Sequence, residues 1–199
     1  MNIKKILKAG FASMVLASGF AVAMDDMKFY VGADANLGSW SYNNSLTTKA
    51  NAAPFSYTGG FKKRNTSLDL NVGTKFNEYF GAELGYGFFQ KTKLFNSAGG
   101  NPRVKASNLH LDVMGYAPVA DEWNLVGALG VGRMNTKVTS INNNTKHKTG
   151  VRVGAGVQYA FDDCLAARLM ARYQKVGNSS NQYVKSLKSI GLGLTYSFM

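Results

Sequence analysis

Few side chains in this chain are of the types that act as nucleophiles or general bases. The sequence contains two histidines and one cysteine. His110 precedes Asp112 by two residues, so in an extended strand both side chains point to the same face. His147 lies in a basic stretch without an acid to orient it, and Cys164 follows two aspartates, whose charge disfavours a reactive thiolate. We therefore predict no catalytic residues, no metal site and no cofactor.

Ionisable residues instead recur at alternate positions within apolar stretches. The C-terminal stretch SIGLGLTYSFM shows the pattern simply, because Ile190, Leu192 and Leu194 alternate with serine, glycine and threonine. Strict alternation over this length is typical of a β-strand. The polar face of a strand in a soluble protein usually carries charges. Small residues instead suit the crowded interior of a narrow barrel whose apolar face meets lipid.

Eight segments alternate in this way, each roughly 9–12 residues long, which a tilted strand needs to cross a bilayer. They are residues 28–38, 66–76, 79–89, 108–116, 123–134, 151–161, 164–174 and 189–199. Segment 123–134 is apolar on both faces, which leaves its register open. The short connections are residues 77–79, 117–122 and 162–163, and the long ones are about 41–65, 90–107, 135–149 and 175–187.

This arrangement predicts an all-β protein, an eight-stranded antiparallel up-and-down transmembrane β-barrel. Short turns would lie on the periplasmic side and long loops outside, and the even strand count would place both chain ends in the periplasm. The alternative is a secreted β-sandwich or a lipocalin-like barrel. The recurrence of one apolar face on every segment, without a matching second one, favours the membrane barrel.

The N-terminus has the features of a secretory signal peptide. Lys4, Lys5 and Lys8 precede a short apolar run over residues 9–23, which ends in the small-residue pattern Ala21-Val22-Ala23. We predict that residues 1–23 are a signal peptide and that residues 24–199 form the outer-membrane β-barrel domain. The predicted destination is the outer membrane of a Gram-negative bacterium, with loops exposed at the cell surface.

The charged residues on the inward faces of the segments balance in sign. They are Asp34, Asp69, Glu83 and Asp112 against Lys75, Arg152, Arg168 and Arg172. Eight strands leave an interior that side chains alone can fill, and ionised groups there need partners because desolvation is costly. The sequence therefore predicts an interior plug of ion pairs.

The remaining charges separate between the two ends of the predicted barrel. The sequence has 23 Lys and Arg against 11 Asp and Glu, and seven of the acids fall on the periplasmic side. The external loops and strand tops carry no acid, and we predict that their basic residues bind polyanions. These residues are Lys49, Lys62, Lys63, Arg64, Lys91, Lys93, Arg103, Lys105, Lys137, Lys146, Lys148, Lys175, Lys185 and Lys188, with Arg133 beside them.

Four stretches carry a resemblance to a known family. They are FNEYFGAELGY (76–86), DEWNLVGALGVGRMNTK (121–137), GVQYAFDDCLAARLMARYQ (156–174) and SIGLGLTYSF (189–198). With them the chain resembles the OmpA-like eight-stranded outer-membrane β-barrels. The resemblance implies that Glu83 and Arg168 pair to block or gate the lumen. It also implies that Tyr196 and Phe198 form the signal that the outer-membrane assembly machinery reads.

The predicted function is a structural or surface-adhesion role for a monomeric, non-enzymatic barrel. Its partners would be outer-membrane lipid and the phosphates of lipopolysaccharide, together with acidic host glycans or proteins, and no nucleic acid. Two alternatives remain open at this point. One is a narrow, porin-like pore for small solutes, and the other is a lipid-modifying barrel enzyme that would use His110 or His147.

Overall fold

The fold is a closed antiparallel barrel, as the alternation of the sequence predicts. The computed structural model describes residues 27–42, 64–90, 92–93, 103–139, 145–176 and 184–198. The strands are β1 (Lys28–Tyr42), β2 (Arg64–Lys75), β3 (Phe80–Phe89), β4 (Thr92–Lys93), β5 (Arg103–Ala120), β6 (Trp123–Thr139), β7 (Thr145–Ala160), β8 (Leu165–Val176) and β9 (Val184–Phe198). The predicted signal peptide, residues 1–23, lies outside the described residues.

Eight long strands form the ring, and the two-residue β4 only extends the contact with β5. Neighbouring strands pair in the order β3-β2-β1-β9-β8-β7-β6-β5-β4, and a further pairing of β3 with β5 closes the circle. The first and last strands meet along their length, from the pair Phe29 and Phe198 to the pair Trp40 and Leu187. Every pairing is antiparallel. The predicted eight-stranded fold class is confirmed.

The barrel is apolar outside and encloses charged side chains, the reverse of a soluble domain. Large apolar side chains such as Leu192 (64% exposed) and Leu129 (61%) cover its outer wall. Asp34, Glu83 and Arg168 lie almost fully buried inside. Only a non-aqueous environment makes such an outer wall favourable, because exposed apolar surface costs about 25 cal/mol per Å² in water. Among the described residues there is no apolar helix of the length that a membrane crossing requires.

Strand β6 has the register that its sequence left open. Val126, Ala128 and Met134 are buried in the interior, and Leu125 and Leu129 face outward. The pairings of β6 with β5 and β7 fix this choice, since a shift by one residue would exchange its two faces.

The strands at the long-loop end are longer than the alternation indicated. Strands β5, β6 and β7 contain 18, 17 and 16 residues, so the stretches 103–107, 135–139 and 145–149 are strand rather than loop. Three basic residues predicted on loops or strand tops, Lys105, Lys137 and Lys148, therefore stand on paired strands.

Two of the three short turns share one hydrogen-bonding pattern. The side chain of Asn77 accepts hydrogen bonds from the backbone N–H groups of Tyr79 and Phe80, at 2.9 and 2.8 Å. Asp162 accepts equivalent bonds from Cys164 and Leu165, at 2.8 and 2.7 Å, and these donors hold the pKa of Asp162 below its ordinary value. Such side-chain acceptors stabilise a tight turn without further residues.

The segment predicted to end at residue 76 ends one residue earlier as a strand. Strand β2 ends at Lys75, so Phe76 falls in the first turn and is half-buried rather than exposed on the outer wall.

Candidate functional site

Arg168 is the centre of an ion-pair cluster that joins three strands inside the barrel. Its guanidinium group donates from Nε and Nη2 to the Asp34 carboxylate on β1, at 2.8 and 2.7 Å. It also donates from Nη1 and Nη2 to Glu83 on β3, the second bond measuring 3.2 Å. Arg172 donates to Asp34 at 2.8 Å, and the hydroxyl of Tyr30 donates to Glu83 at 3.0 Å. The contact between Glu83 and Arg168 is the one that the family resemblance implies.

A second charged cluster lies on the side of the lumen formed by β2, β5 and β7. Arg152 Nε is 2.9 Å from a carboxylate oxygen of Asp112, and its Nη2 is 4.0 Å from Asp69. His110 stands between the two acids, with Nδ1 3.3 Å from Asp112 and Nε2 4.0 Å from Asp69. The His110 and Asp112 side chains thus share a face, but they are sealed in the interior at 1% exposure each.

Lys75 was predicted to join this plug, and the structure places it elsewhere. Its ammonium group lies 4.6 Å from the centre of the Tyr116 ring, near the turns. The backbone of Lys75 pairs there with Lys28. The alternation gave the correct face, but Lys75 is the last residue of β2 and so lies beyond the depth of the carboxylates.

Apolar layers close the interior on both sides of the charged clusters. Toward the turns, Met114, Tyr116, Val126, Ala128 and Met170 form one buried cluster. Toward the long-loop end, Trp40, Met134, Val176 and Leu187 are each at most 5% exposed. The paired side-chain amides of Asn108 and Gln174 lie at this end too, 2.8 and 3.2 Å apart. Buried side chains therefore occupy the interior from the apolar layer near the turns to the one near the long-loop end.

The glycines of β9 make room for the charged side chains. Gly193 lies between Asp34 of β1 and Arg168 of β8 in the strand register. A methyl group at Gly193 would overlap the Asp34 carboxylate, and one at Gly191 would overlap the Asn36 amide. The bare face of the C-terminal strand is thus the space that its neighbours fill.

The two ends of the barrel carry opposite charge. At the turn end, five acidic residues are exposed: Glu78, Asp121, Glu122, Asp162 and Asp163. At the other end, basic residues on the strands are exposed or half-buried: Arg64, Lys105, Arg133, Lys137, Lys148, Lys175, Lys185 and Lys188. The sequence contains no acid in any of the four long connections at that end. The described basic residues therefore meet no opposing carboxylate there.

The side chains of seven residues of the predicted polyanion site lie outside the described part of the chain. Lys49, Lys62, Lys63 and Lys91 lie outside the described residues. Lys93, Arg103 and Lys146 lie on strands, but their side chains fall outside the described part. Their role remains a prediction.

Sequence reasoning missed a polar ladder on the outer wall at this end. Ser107, Asn135 and His147 stand side by side on β5, β6 and β7. Asn135 donates to the Ser107 hydroxyl at 3.5 Å, and its side-chain oxygen lies 2.6 Å from His147 Nδ1. The signal was available, because Lys105, Ser107 and Leu109 continue the alternation of β5. The sequence instead predicts long connections over about 90–107 and 135–149, because the outward face loses its apolar residues there.

The proposed assembly signal lies on the outer wall at the end of β9. Tyr196 and Phe198 are about half-exposed, and their rings pack edge to face with centres 5.4 Å apart. Trp123 and Tyr159 form a similar pair at the same end, 5.0 Å apart. Aromatic rings at this level are typical of the lipid–water interface of membrane barrels.

Comparison with solved structures shows the same architecture in outer-membrane proteins. Neisserial surface protein A (NspA) matches with a TM-score of 0.62 and 16% identity, over 85% of this chain and 97% of the other. Ail, the attachment invasion locus protein of Yersinia pestis, in complex with the heparin analogue sucrose octasulfate, gives 0.54 and 16%, over 86% and 97%. The N-terminal β-barrel domain of Pseudomonas aeruginosa OprF gives 0.54 and 16%, over 85% and 97%.

A search of curated proteins gave no significant match. The family model described as outer membrane protein beta-barrel domain matches residues 9–198, which is nearly the whole sequence. Together with the closed barrel, its lipid-type outer wall and its filled lumen, this match establishes that the chain belongs to the outer membrane protein beta-barrel domain family.

Proposed function

We propose that this protein is a plugged, non-enzymatic surface barrel whose basic outer end binds the phosphate or sulfate groups of polyanionic glycans. The separation of charge along the barrel carries the proposal. Every acid of residues 27–198 lies inside the barrel or at the turn end, and the charged residues of the other end are all basic. Such a one-sided field concentrates polyanions at that end.

The ligand class is chosen from the chemistry of the charges. Lysine and arginine bind phosphate and sulfate oxygens through charge-assisted hydrogen bonds. A likeness in fold alone transfers no ligand, but the complex of Ail with a heparin analogue supports the class, because it places a sulfated saccharide on a barrel of this architecture. Lipopolysaccharide phosphates and sulfated host glycans present the same groups, so the test must separate these two sources.

The filled interior argues for a surface role over transport or catalysis. The charged clusters and both apolar layers occupy the lumen, so the pore alternative would require them to move. Of the two histidines that the enzyme alternative names, His110 is 1% exposed and enclosed by charged side chains. His147 is exposed and contacts Asn135, and strands β6 and β7 contain no acid to orient it.

A charge reversal at the outer end tests the binding proposal. Arg64 and Lys188 flank Ser39 in one row across β2, β1 and β9, and both are exposed. We expect R64E/K188E to bind a sulfated glycan at least about tenfold more weakly at low salt, because two attractions become repulsions. Binding is measured on protein refolded from residues 24–199 in detergent, with lipopolysaccharide and heparin-type saccharide as separate ligands.

The control is K28E, which reverses an exposed lysine at the turn end. It should bind both ligands as the wild type does, and all three proteins should show the same heat-dependent gel mobility. Equal loss of affinity in K28E and R64E/K188E would contradict a site at the outer end.

A further inference from the structure

The outer wall of β5, β6 and β7 changes from apolar to basic within a few residues. One register row across these strands is Leu111, Val131 and Val151, and all three side chains are exposed on the wall. The next row toward the long loops contains Arg133 beside Leu109. Arg133 is therefore at the edge of the apolar belt, where a membrane barrel meets lipid headgroups.

Two further basic residues face each other above it. Lys105 of β5 and Lys137 of β6 are direct partners in the register, and each points outward beside a buried neighbour, Ala106 or Thr136. Side chains that are directly opposite have Cβ atoms about 4.5–5.5 Å apart, so two like charges there destabilise the pair. An anion bound between the two ammonium groups would turn this repulsion into attraction.

The protein itself offers no anion at this place. Strands β6 and β7 contain no acidic residue, and the one acid of β5, Asp112, points into the lumen. Between Arg133 and the lysine pair lies the hydrogen-bonded row of Ser107, Asn135 and His147, which orders the wall there. Four residues along a strand span about 13 Å, so the basic groups line a polar strip rather than a point.

From these features we infer that Arg133, Lys105 and Lys137 form a binding site for the phosphate groups of a lipid in the outer leaflet. The inference deepens the proposed function and rests on it, since both assign oxyanion binding to this end. A lipid fits better than a soluble glycan because the strip lies on the outer wall, directly beside the apolar belt. Leu109 and Val131, 44% and 50% exposed, adjoin the basic groups where acyl chains would pack.

The lysine pair provides a test in which K137Q should raise the thermal stability without ligand but lower the stabilisation by ligand. In maltoside micelles, which contain no phosphate, K137Q removes a repulsion and should unfold about 2 °C above the wild type. Added lipopolysaccharide should raise the wild-type midpoint by several degrees and that of K137Q by less than half as much. The midpoint is read from the heat-dependent gel mobility. K28Q, altered at the turn end outside the proposed polyanion site, should keep the full increase.

Two further arms identify the ligand. Dephosphorylated lipopolysaccharide should give no increase, and millimolar inorganic phosphate should give less than the intact lipid. An increase in K137Q equal to that of the wild type would overturn the site, and an equal response to inorganic phosphate would overturn its assignment to lipid.

The outcome is separable from that of the proposed function. Retained glycan binding by R64E/K188E, with a lost lipid response in K137Q, would leave the side-wall site standing alone. Lost glycan binding by R64E/K188E, with an unchanged lipid response in K137Q, would leave only the site at Arg64 and Lys188.

Discussion

Single residues hold the interior together through charges that cannot be removed one at a time. Arg168 is 2% exposed and bonds to two carboxylates that are each 1% exposed. Replacing a complete buried ion cluster by apolar groups can be neutral, but removing one partner leaves the others charged without compensation. The stabilising effect of Arg168 therefore lies mainly in compensating the buried charges of Asp34 and Glu83.

Substitution of Arg168 by methionine tests this dependence. We expect R168M to lower the free energy of unfolding by about 3–5 kcal/mol, because two buried carboxylates lose their main partner. The measurement is urea unfolding of the refolded protein in lipid bilayers. R64M removes an exposed arginine and should change it by less than about 0.5 kcal/mol. Similar effects of the two variants would show that the interior pairs contribute little.

At the scale of the strand, packing depends on the alternation of long and absent side chains. Asp34 projects across β9 into the space beside Gly193, and Asn36 does the same beside Gly191. A glycine that faces outward meets no such demand. Gly127 of β6 has open space around the position that a Cβ would occupy. The role of a glycine is thus set by its face.

The two kinds of glycine should respond differently to alanine. We expect G193A to destabilise the barrel by about 1–3 kcal/mol, since the added methyl overpacks the lumen against the Asp34 carboxylate. G127A should be neutral or slightly stabilising, because alanine lowers the entropy of the unfolded chain. The same unfolding measurement decides. A larger loss in G127A than in G193A would show that the face of the strand is assigned incorrectly.

Alternation in the sequence predicts which face of a strand a residue lies on, but not where each strand ends. It gave the faces of Asp34, Asp69 and Arg168 correctly, because a period of two distinguishes the lumen from lipid along every crossing strand. It failed at 103–107 and 135–139, where β5 and β6 continue past the apolar belt and their outward face becomes polar. It also could not give depth along the barrel, which is why Lys75 was assigned to the plug.

At the scale of the whole molecule, the barrel has an interior occupied by side chains, an acidic end at the turns and a basic end at the long loops. Each charged cluster is enclosed by apolar layers such as Met114 with Met170, and Trp40 with Leu187. Ions that entered would have to displace charge-paired side chains within a low-dielectric shell. This arrangement favours the proposed surface binding over the transport of solutes through the barrel.

Electrical recording tests the closed centre. Wild-type protein incorporated into planar lipid bilayers should produce no stable conductance steps, because ion-paired and apolar side chains occupy the interior. The same preparation must show heat-dependent gel mobility, so that silence is not mistaken for failed folding. Reproducible steps would favour the narrow-pore alternative and would require the Glu83 and Arg168 pair to separate.

The contact between Asp34 and Arg168 has a consequence for the order of assembly. The two residues are 134 positions apart, and they become neighbours only when β9 pairs with both β1 and β8. Until that seam closes, Asp34 has neither Arg168 nor Arg172 as a partner and keeps its hydration. The transfer of β1 out of water is therefore coupled to closure of the barrel, and closure requires the pairing of β9.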